Sequence, residues 1–415
     1  MNVLRTREFR LLFSGQAVSV LGDRMALVAL AFAVLEIGGS SSDVGLVLAA
    51  GAFPVVATVL AGGVVADRAS RRAVMVVADL ARVASQGVMA ALLIAGVAEV
   101  WMLALVAGFT GAATGFFGPA STGLLPEVVL AEQLQPANGL RASAVSTGEI
   151  LGPVVGGLLV ATAGAGWAIA IDALTFAVSA ACLAMLRVPT RVAAQRSSFV
   201  TDLREGWVAF RSRRWAWTVV VYFAIANVLW GAWGVLGPVV ADRDLGGAAA
   251  WGAILAAVGV GALAGSLLAT RVKPRRPLLL VALADGLFAL PLAFLAAATS
   301  VPLIACGAAL SGAGMALSIS IWESTLQRHV PGESLSRVSS YDWFGSLAFY
   351  PLGLAVWGPV AAVIGIGVSL WLAVGLAAFL TLALISVPDI RHLPAAPPGP
   401  QSAAASGAEG SSTPM

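Results

Sequence analysis

Apolar stretches of about 20 residues recur along nearly the whole chain, and a helix needs about that many to cross the hydrocarbon of a bilayer. Inside lipid the backbone must satisfy its own hydrogen bonds, which leaves helices or closed barrels as spanning structures. These runs are too long and too continuous for the alternating strands of about ten residues that build a barrel. Of 415 residues, 59% are hydrophobic and 11% charged, less than half the charge of an ordinary soluble domain, about 25%. The reading is an all-α membrane protein with twelve transmembrane helices in two six-helix pseudo-repeats.

The spans are expected near residues 9–37, 43–66, 73–97, 100–126, 140–163, 166–187, 215–241, 248–270, 277–298, 301–328, 338–360 and 363–387. With the N-terminus inside, almost every basic residue from Arg5 to Arg391 falls on the inner segments; the outer loops keep only Arg243, and Arg24 and Arg82 lie within spans. Such asymmetry sets orientation by the positive-inside bias and puts both termini in the cytoplasm. The net charge of +3 is therefore scattered over loops facing anionic lipid, which argues against nucleic acid as a partner. The basic residues after Met1 lead into a full-length span with no small-residue cleavage site, so no removable leader is expected. Cys182 and Cys306 both fall in spans and read as small apolar fillers.

Four regions follow: a first six-helix bundle over 1–187, a cytoplasmic linker over 188–214, a second bundle over 215–387 and a disordered cytoplasmic tail over 388–415. Phe199, Leu203, Trp207 and Phe210 recur at helical spacing in the linker, the pattern of an amphipathic helix on the membrane surface. The halves resemble each other. Val129 to Leu134 aligns with Val330 to Leu335, Gly152-Pro153 with Pro351 to Gly353, and Gly63 before Arg71-Arg72 with Gly265 before Arg275-Arg276. Parallel repeats with a binding site between them at the membrane midplane are a known transporter arrangement.

Between spans two and three runs Gly63-Val64-Val65-Ala66-Asp67-Arg68-Ala69-Ser70-Arg71-Arg72. Arg68, Arg71 and Arg72 suit lipid phosphate or partner acids, and Asp67 suits the positive end of a neighbouring helix. Asp79 and Arg82 sit three apart on one face of span three, within reach of each other. The group reads as a conformational latch, made of Gly63, Asp67, Arg68, Arg71, Arg72, Asp79 and Arg82.

An ionisable side chain in hydrocarbon costs about 2.5–3.5 kcal/mol on insertion scales and is usually paired or functional. Asp23, Asp79, Glu149, Asp172, Asp285, Glu323 and Asp342 are the acids within spans. Asp23, Glu149 and Asp285 lie deepest and are the proton-coupling candidates in that order, with Arg24 and Glu323 as further cavity candidates. Asp23 and Arg24, adjacent on a helix, point about 100° apart and must serve different neighbours. Aromatics gather in span four (Phe116, Phe117), span seven (Tyr222, Phe223, Trp230, Trp233) and span eleven (Trp343, Phe344, Phe349, Tyr350), either lining a cavity for a bulky lipophilic molecule or contacting lipid. No phosphate-binding loop, nucleophile motif or paired-histidine site occurs, so no enzyme activity, cofactor or metal is expected.

Residues 63–72 resemble the loop motif of the major facilitator superfamily, Gly-x-Leu-Ala-Asp-Arg-x-Gly-Arg-Arg, with Val65 and Ser70 as departures. Gly152, Pro153, Gly156 and Gly157 are similar to that superfamily's span-five motif associated with exporters. Leu21-Gly22-Asp23, Asp79 to Arg82, Leu124-Leu125-Pro126, Ala137-Asn138, Asp202 to Trp207 and Arg337 to Ser340 together resemble its drug:proton antiporter branch, which includes macrolide efflux proteins and the enterobactin exporter. The resemblance implies a multi-pass protein of a bacterial plasma membrane, working as a monomer. It implies export of lipophilic or amphipathic molecules such as drugs, macrolides or siderophores in exchange for protons. Import of a small polar solute and translocation of lysophospholipids use the same fold and remain the alternatives. One departure stands out: Ala107 occupies the position where such antiporters carry an arginine, four residues before Gly111. Another charged pair would have to couple protons here.

Overall fold

The structure is a computed structural model, and it describes residues 3–187, 207–208, 210–330, 338, 341–342, 344–346 and 348–395. The first half contains α1 (Arg7–Glu36), α2 (Ser41–Arg68), α3 (Arg71–Ile94), α4 (Val100–Val128), α5 (Leu134–Ala163) and α6 (Ala165–Ala184). The second contains α7 (Arg214–Val240), α8 (Ala248–Ala269), α9 (Pro277–Asp285), α10 (Ala289–Ala296), α11 (Val301–His329), α12 (Tyr350–Ile364), α13 (Ile366–Ser386) and the short α14 (Pro388–His392). A 3₁₀ turn, Gly286–Phe288, joins α9 and α10 into one span, so twelve helices among the described residues are long and apolar enough to cross a membrane. Large apolar side chains such as Phe53, Phe109 and Phe379 stay exposed on these helices, as lipid-facing residues should. α5 starts earlier than the expected span because the helix continues beyond the apolar stretch, back to Leu134.

Local chemistry explains the helix ends. Ser40 and Asp43 form a reciprocal capping box at the start of α2, and the Ser70 hydroxyl accepts from the Ala73 amide at the start of α3; both satisfy amides with no partner inside the helix. Gly164 breaks α5 from α6 at φ 90°, and Gly365 breaks α12 from α13 at φ 88°, a left-handed conformation that glycine adopts without penalty. These two breaks, and the α4 and α11 starts, recur at one constant offset, so the repeat legible in the sequence is also a repeat of structure.

The two halves meet through glycines. A Cβ at Gly45 would come within 2.5 Å of the Leu354 carbonyl, and one at Gly358 within 2.5 Å of the Ser41 carbonyl. On the other side of the interface, a Cβ at Gly252 would lie 2.2 Å from the Pro153 carbonyl and one at Gly157 would lie 2.4 Å from that of Ala248. Such absent side chains let helix backbones approach closely in lipid, where packing replaces the hydrophobic drive. These approaches cluster between the membrane centre and the face opposite the termini. Near the centre Asp23 is exposed, and its neighbour Arg24 interacts electrostatically with Tyr350 of the other half, which puts an accessible cleft between the halves there.

The expected disordered tail began at 388, whereas α14 occupies Pro388–His392 with Ile390 buried; 396–415 lie outside the described residues. Phe199, Leu203 and most of the linker also lie outside them, while Trp207 and Phe210 are described: Trp207 tilts against Tyr341 at 5.5 Å between ring centroids and Phe210 stacks on it at 5.9 Å.

Candidate functional site

Charge is gathered at three places. The first is a buried cluster in the first bundle. On α3, Asp79, Arg82 and Gln86 share one face at i, i+3 and i+7. Arg82 Nη2 donates to Asp79 Oδ1 at 2.5 Å, and the two side chains are 2% and 0% exposed. The guanidinium is clamped between Phe117, 4.2 Å from the ring centroid, and Phe176, 4.4 Å, a cation–π sandwich from α4 and α6. Gln86 Nε2 donates to Asp172 Oδ2 on α6 at 2.7 Å. Gly22 makes this possible, because a Cβ there would sit 2.4 Å from Asp172 Oδ1. Next along α1, Asp23 interacts electrostatically with Arg82 and with Asp172. Three carboxyls therefore surround one guanidinium, with Asp23 open to the cleft and Asp172 fully buried. The charge count and the low dielectric together make full ionisation of all three unfavourable.

The second place is the cleft wall. Arg24 Nη2 and Glu149 Oε1 pair at 3.1 Å, with the side chains 40% and 38% exposed. Glu149, expected among the deepest acids as a proton-coupling candidate, is thus half-exposed and paired. Gly152 admits this arrangement, since a Cβ there would lie 2.3 Å from Arg24 Cβ, and Gly156 packs on the Met25 backbone. The span-five glycines thus have two duties: Gly152 and Gly156 fit α5 to α1, while Gly157, with the Pro153 carbonyl, fits it to α8 of the other bundle.

The third place is a cavity of about 280 Å³ within the second bundle. Phe223, Asn227 and Trp230 of α7, Asp285 and Phe288 on the ninth span, Ser311, Trp322 and Glu323 of α11, and Asp342 line it. Asp342 accepts from Trp322 Nε1 at 3.0 Å. Tyr222 faces Asp285 without a hydrogen bond of standard geometry. The structure therefore brings Asp285 and Glu323 together with Asp342, and keeps them apart from Asp23 and Glu149.

Of the latch residues, Arg71 donates to the Gly123 carbonyl at 2.7 Å and to Glu127 Oε1 at 2.8 Å. Arg72 donates to the Leu183 carbonyl at 2.9 Å and to that of Ala184, at the negative end of α6. These bonds tie α3 to α4 and α6, all inside the first bundle. Arg68 is exposed at the end of α2, Gly63 has no neighbour where a Cβ would be, and the Asp67 side chain lies outside the described set. Ala107 is buried against Gly51 of α2, and a Cβ at Gly111 would lie 1.9 Å from the Gly51 carbonyl. The tight α2–α4 seam leaves no space for an arginine.

In the sequence, Asp172 stands out only as an acid within a span and Phe117 only as one of the span-four aromatics, and Gln86, Phe176 and Glu127 are not singled out. The Asp79–Arg82–Gln86 stripe was the available signal. The aromatic clamp was not foreseeable, because its rings come from two other helices. Among the described residues, no cluster of His, Cys, Asp and Glu could hold a metal ion.

Two pseudo-equivalent six-helix bundles, glycine-seamed around a charged cleft, are the architecture of a membrane transporter. The chain matches the Major Facilitator Superfamily over residues 12–347 and belongs to that family; it is a multi-pass membrane protein. It is 30% identical to the multidrug efflux pump Tap of Mycolicibacterium fortuitum over 397 residues, covering 90% of this chain and 93% of that one. Macrolide efflux protein A of Streptococcus pyogenes is 29% identical over 210 residues, 50% of this chain and 52% of that one. Among solved structures, the fold is similar to the nucleoside transporter NupG, with a TM-score of 0.69 at 14% identity over 93% of this chain and 99% of that one. It is also similar to a bacterial homologue of the human lysosomal transporter Spinster in an inward-facing, unoccupied conformation, with a TM-score of 0.72 at 13% identity over 94% and 99%.

Proposed function

We propose that the chain is a proton-coupled exporter that moves lipophilic or amphipathic small molecules, such as drugs, macrolides or siderophores, out of the cytoplasm. The observation that carries this reading is the first-bundle cluster, in which Asp23, Asp79 and Asp172 share Arg82. An excess of buried carboxyl over guanidinium is resolved by binding a proton, and Asp23 gives that proton a route to the cleft. Arg82 then supplies the cation that α4 lacks at Ala107.

The bundles are seamed on the face opposite the termini, so a state of this shape loads from the terminus-bearing side, which the basic loops assign to the cytoplasm. Rocking about the Gly157–Ala248 and Gly45–Leu354 contacts would expose the cleft to the other side. The hydrogen bonds of Arg71 and Arg72 keep the first bundle rigid during that motion, and Arg68 remains available to lipid phosphate. One chain supplies both bundles, so the monomer is the working unit, with lipid as its solvent.

The test is dye accumulation in a bacterial strain stripped of its own efflux pumps. Expression should lower steady-state dye, and collapse of the proton gradient should restore it. Accumulation indifferent to both the protein and the gradient overturns the proposal.

A further inference from the structure

The second-bundle cavity has a charge pattern that the export reading leaves unused. A Cβ at Gly314 would meet the Ala284 carbonyl at 2.1 Å, so neighbouring Asp285 lies at the level of Gly314 on α11. Glu323 follows nine residues further down that helix, a rise of about 13 Å. Asp342 joins Glu323 at that lower level, held by Trp322. The cavity is therefore bipolar, with one carboxyl near the membrane centre and two toward the terminus-bearing face.

Each pole has its own aromatic pair. Trp230 and Phe288 stand edge to face at 6.3 Å beside Asp285, and Phe223 and Trp322 at 5.9 Å beside Glu323. Among the described residues, the lining contains no Lys, Arg or His. Ser311, 2% exposed, lines the same cavity.

We propose that this cavity recognises elongated organic dications, one positive head at Asp285 and the other at Glu323 and Asp342, with the aromatic pairs gripping both heads. Aromatic faces attract desolvated quaternary ammonium groups, and the carboxylates supply the counter-charge. Glu323 is exposed and Asp285 half-buried, so a ligand with a single head leaves the other pole hydrated and forgoes one charge–charge attraction. The proposal rests on the export reading for the purpose of binding, not for binding itself.

Calorimetric titration of the purified full-length protein tests it, with bis-trimethylammonium alkanes from butane to dodecane and single-headed alkyltrimethylammonium partners of the same chain lengths. The wild type should bind the best bis-headed compound about tenfold more tightly than its single-headed partner, a difference of about 1.4 kcal/mol. Affinity should peak where the heads stand about 13 Å apart, matching the rise between the poles. Asp285→Asn and Glu323→Gln should each bring the bis-headed compound down to its single-headed partner. Equal affinity for the two head counts in the wild type, or an affinity flat in spacer length, overturns the proposal without reference to any variant. Binding with this signature but no gradient-driven export would count against the export reading alone.

Discussion

Arg24 of α1 and Glu149 of α5 form an ion pair at 3.1 Å on the cleft wall, where Gly259 of the other bundle also meets the Glu149 backbone. The pair is half-exposed, so its contribution to stability is small, about 0–1 kcal/mol. A position where three helices from both bundles meet suits a contact that changes as they move. Glu149→Gln should leave the melting temperature in detergent almost unchanged and still slow gradient-driven dye efflux. The Arg24→Glu, Glu149→Arg exchange should recover part of the rate. A large loss of melting temperature in Glu149→Gln would assign the pair to structure instead.

Arg82 and Asp79 present the opposite case. Both are almost completely buried, so removing one partner strands the other charge, at a cost of about 3–5 kcal/mol. Arg82→Met should destabilise the protein strongly. Adding Asp79→Asn to it should recover part of that loss, because the carboxyl bonded directly to Arg82 is gone while Asp23 and Asp172 remain. Unfolding of reconstituted protein monitored by circular dichroism checks both; a double variant no more stable than the single one would refute the pairing argument.

Asp23 and Asp172 are predicted to act together, one open to the cleft and the other buried behind Gly22. Asp23→Asn and Asp172→Asn should each leave export insensitive to the proton gradient, and the double variant should be no worse than either single one. Everted vesicles with an imposed pH difference provide the readout. Additive losses would show two independent sites.

Gly252 packs on the Pro153 carbonyl with no space for a side chain. Gly252→Val should prevent the bundles from closing on the face opposite the termini, abolishing export while the protein still reaches the membrane. Cysteine accessibility on that face, compared with the wild type, checks whether the seam has opened. Retained export would mean that the seam tolerates a side chain.

The pairing of helices explains which parts of the site were legible in advance. The Asp79–Arg82 contact lies within one helix, where a spacing of three residues fixes proximity. The grouping of Asp285 with Glu323 and Asp342, by contrast, joins the ninth span to α11 and to the residues before α12. Glu323 is a cavity candidate and Asp342 a span acid in the sequence, and only the cavity shows that both share a space with Asp285. The partner of Glu149 is not legible in the sequence, because Arg24 is on another span.

The sequence by itself determined that the chain forms twelve membrane-crossing helices in two repeated halves, because lipid leaves the backbone few alternatives and apolar length counts the spans. Tertiary structure alone decided how the acids are distributed: three around Arg82 between Phe117 and Phe176, one paired with Arg24, and three lining a separate cavity. Helical periodicity tells which residues share a face, but the residue opposite that face comes from a distant part of the chain. Its identity depends on how glycine seams such as Gly22 against Asp172 and Gly152 against Arg24 bring the helices together.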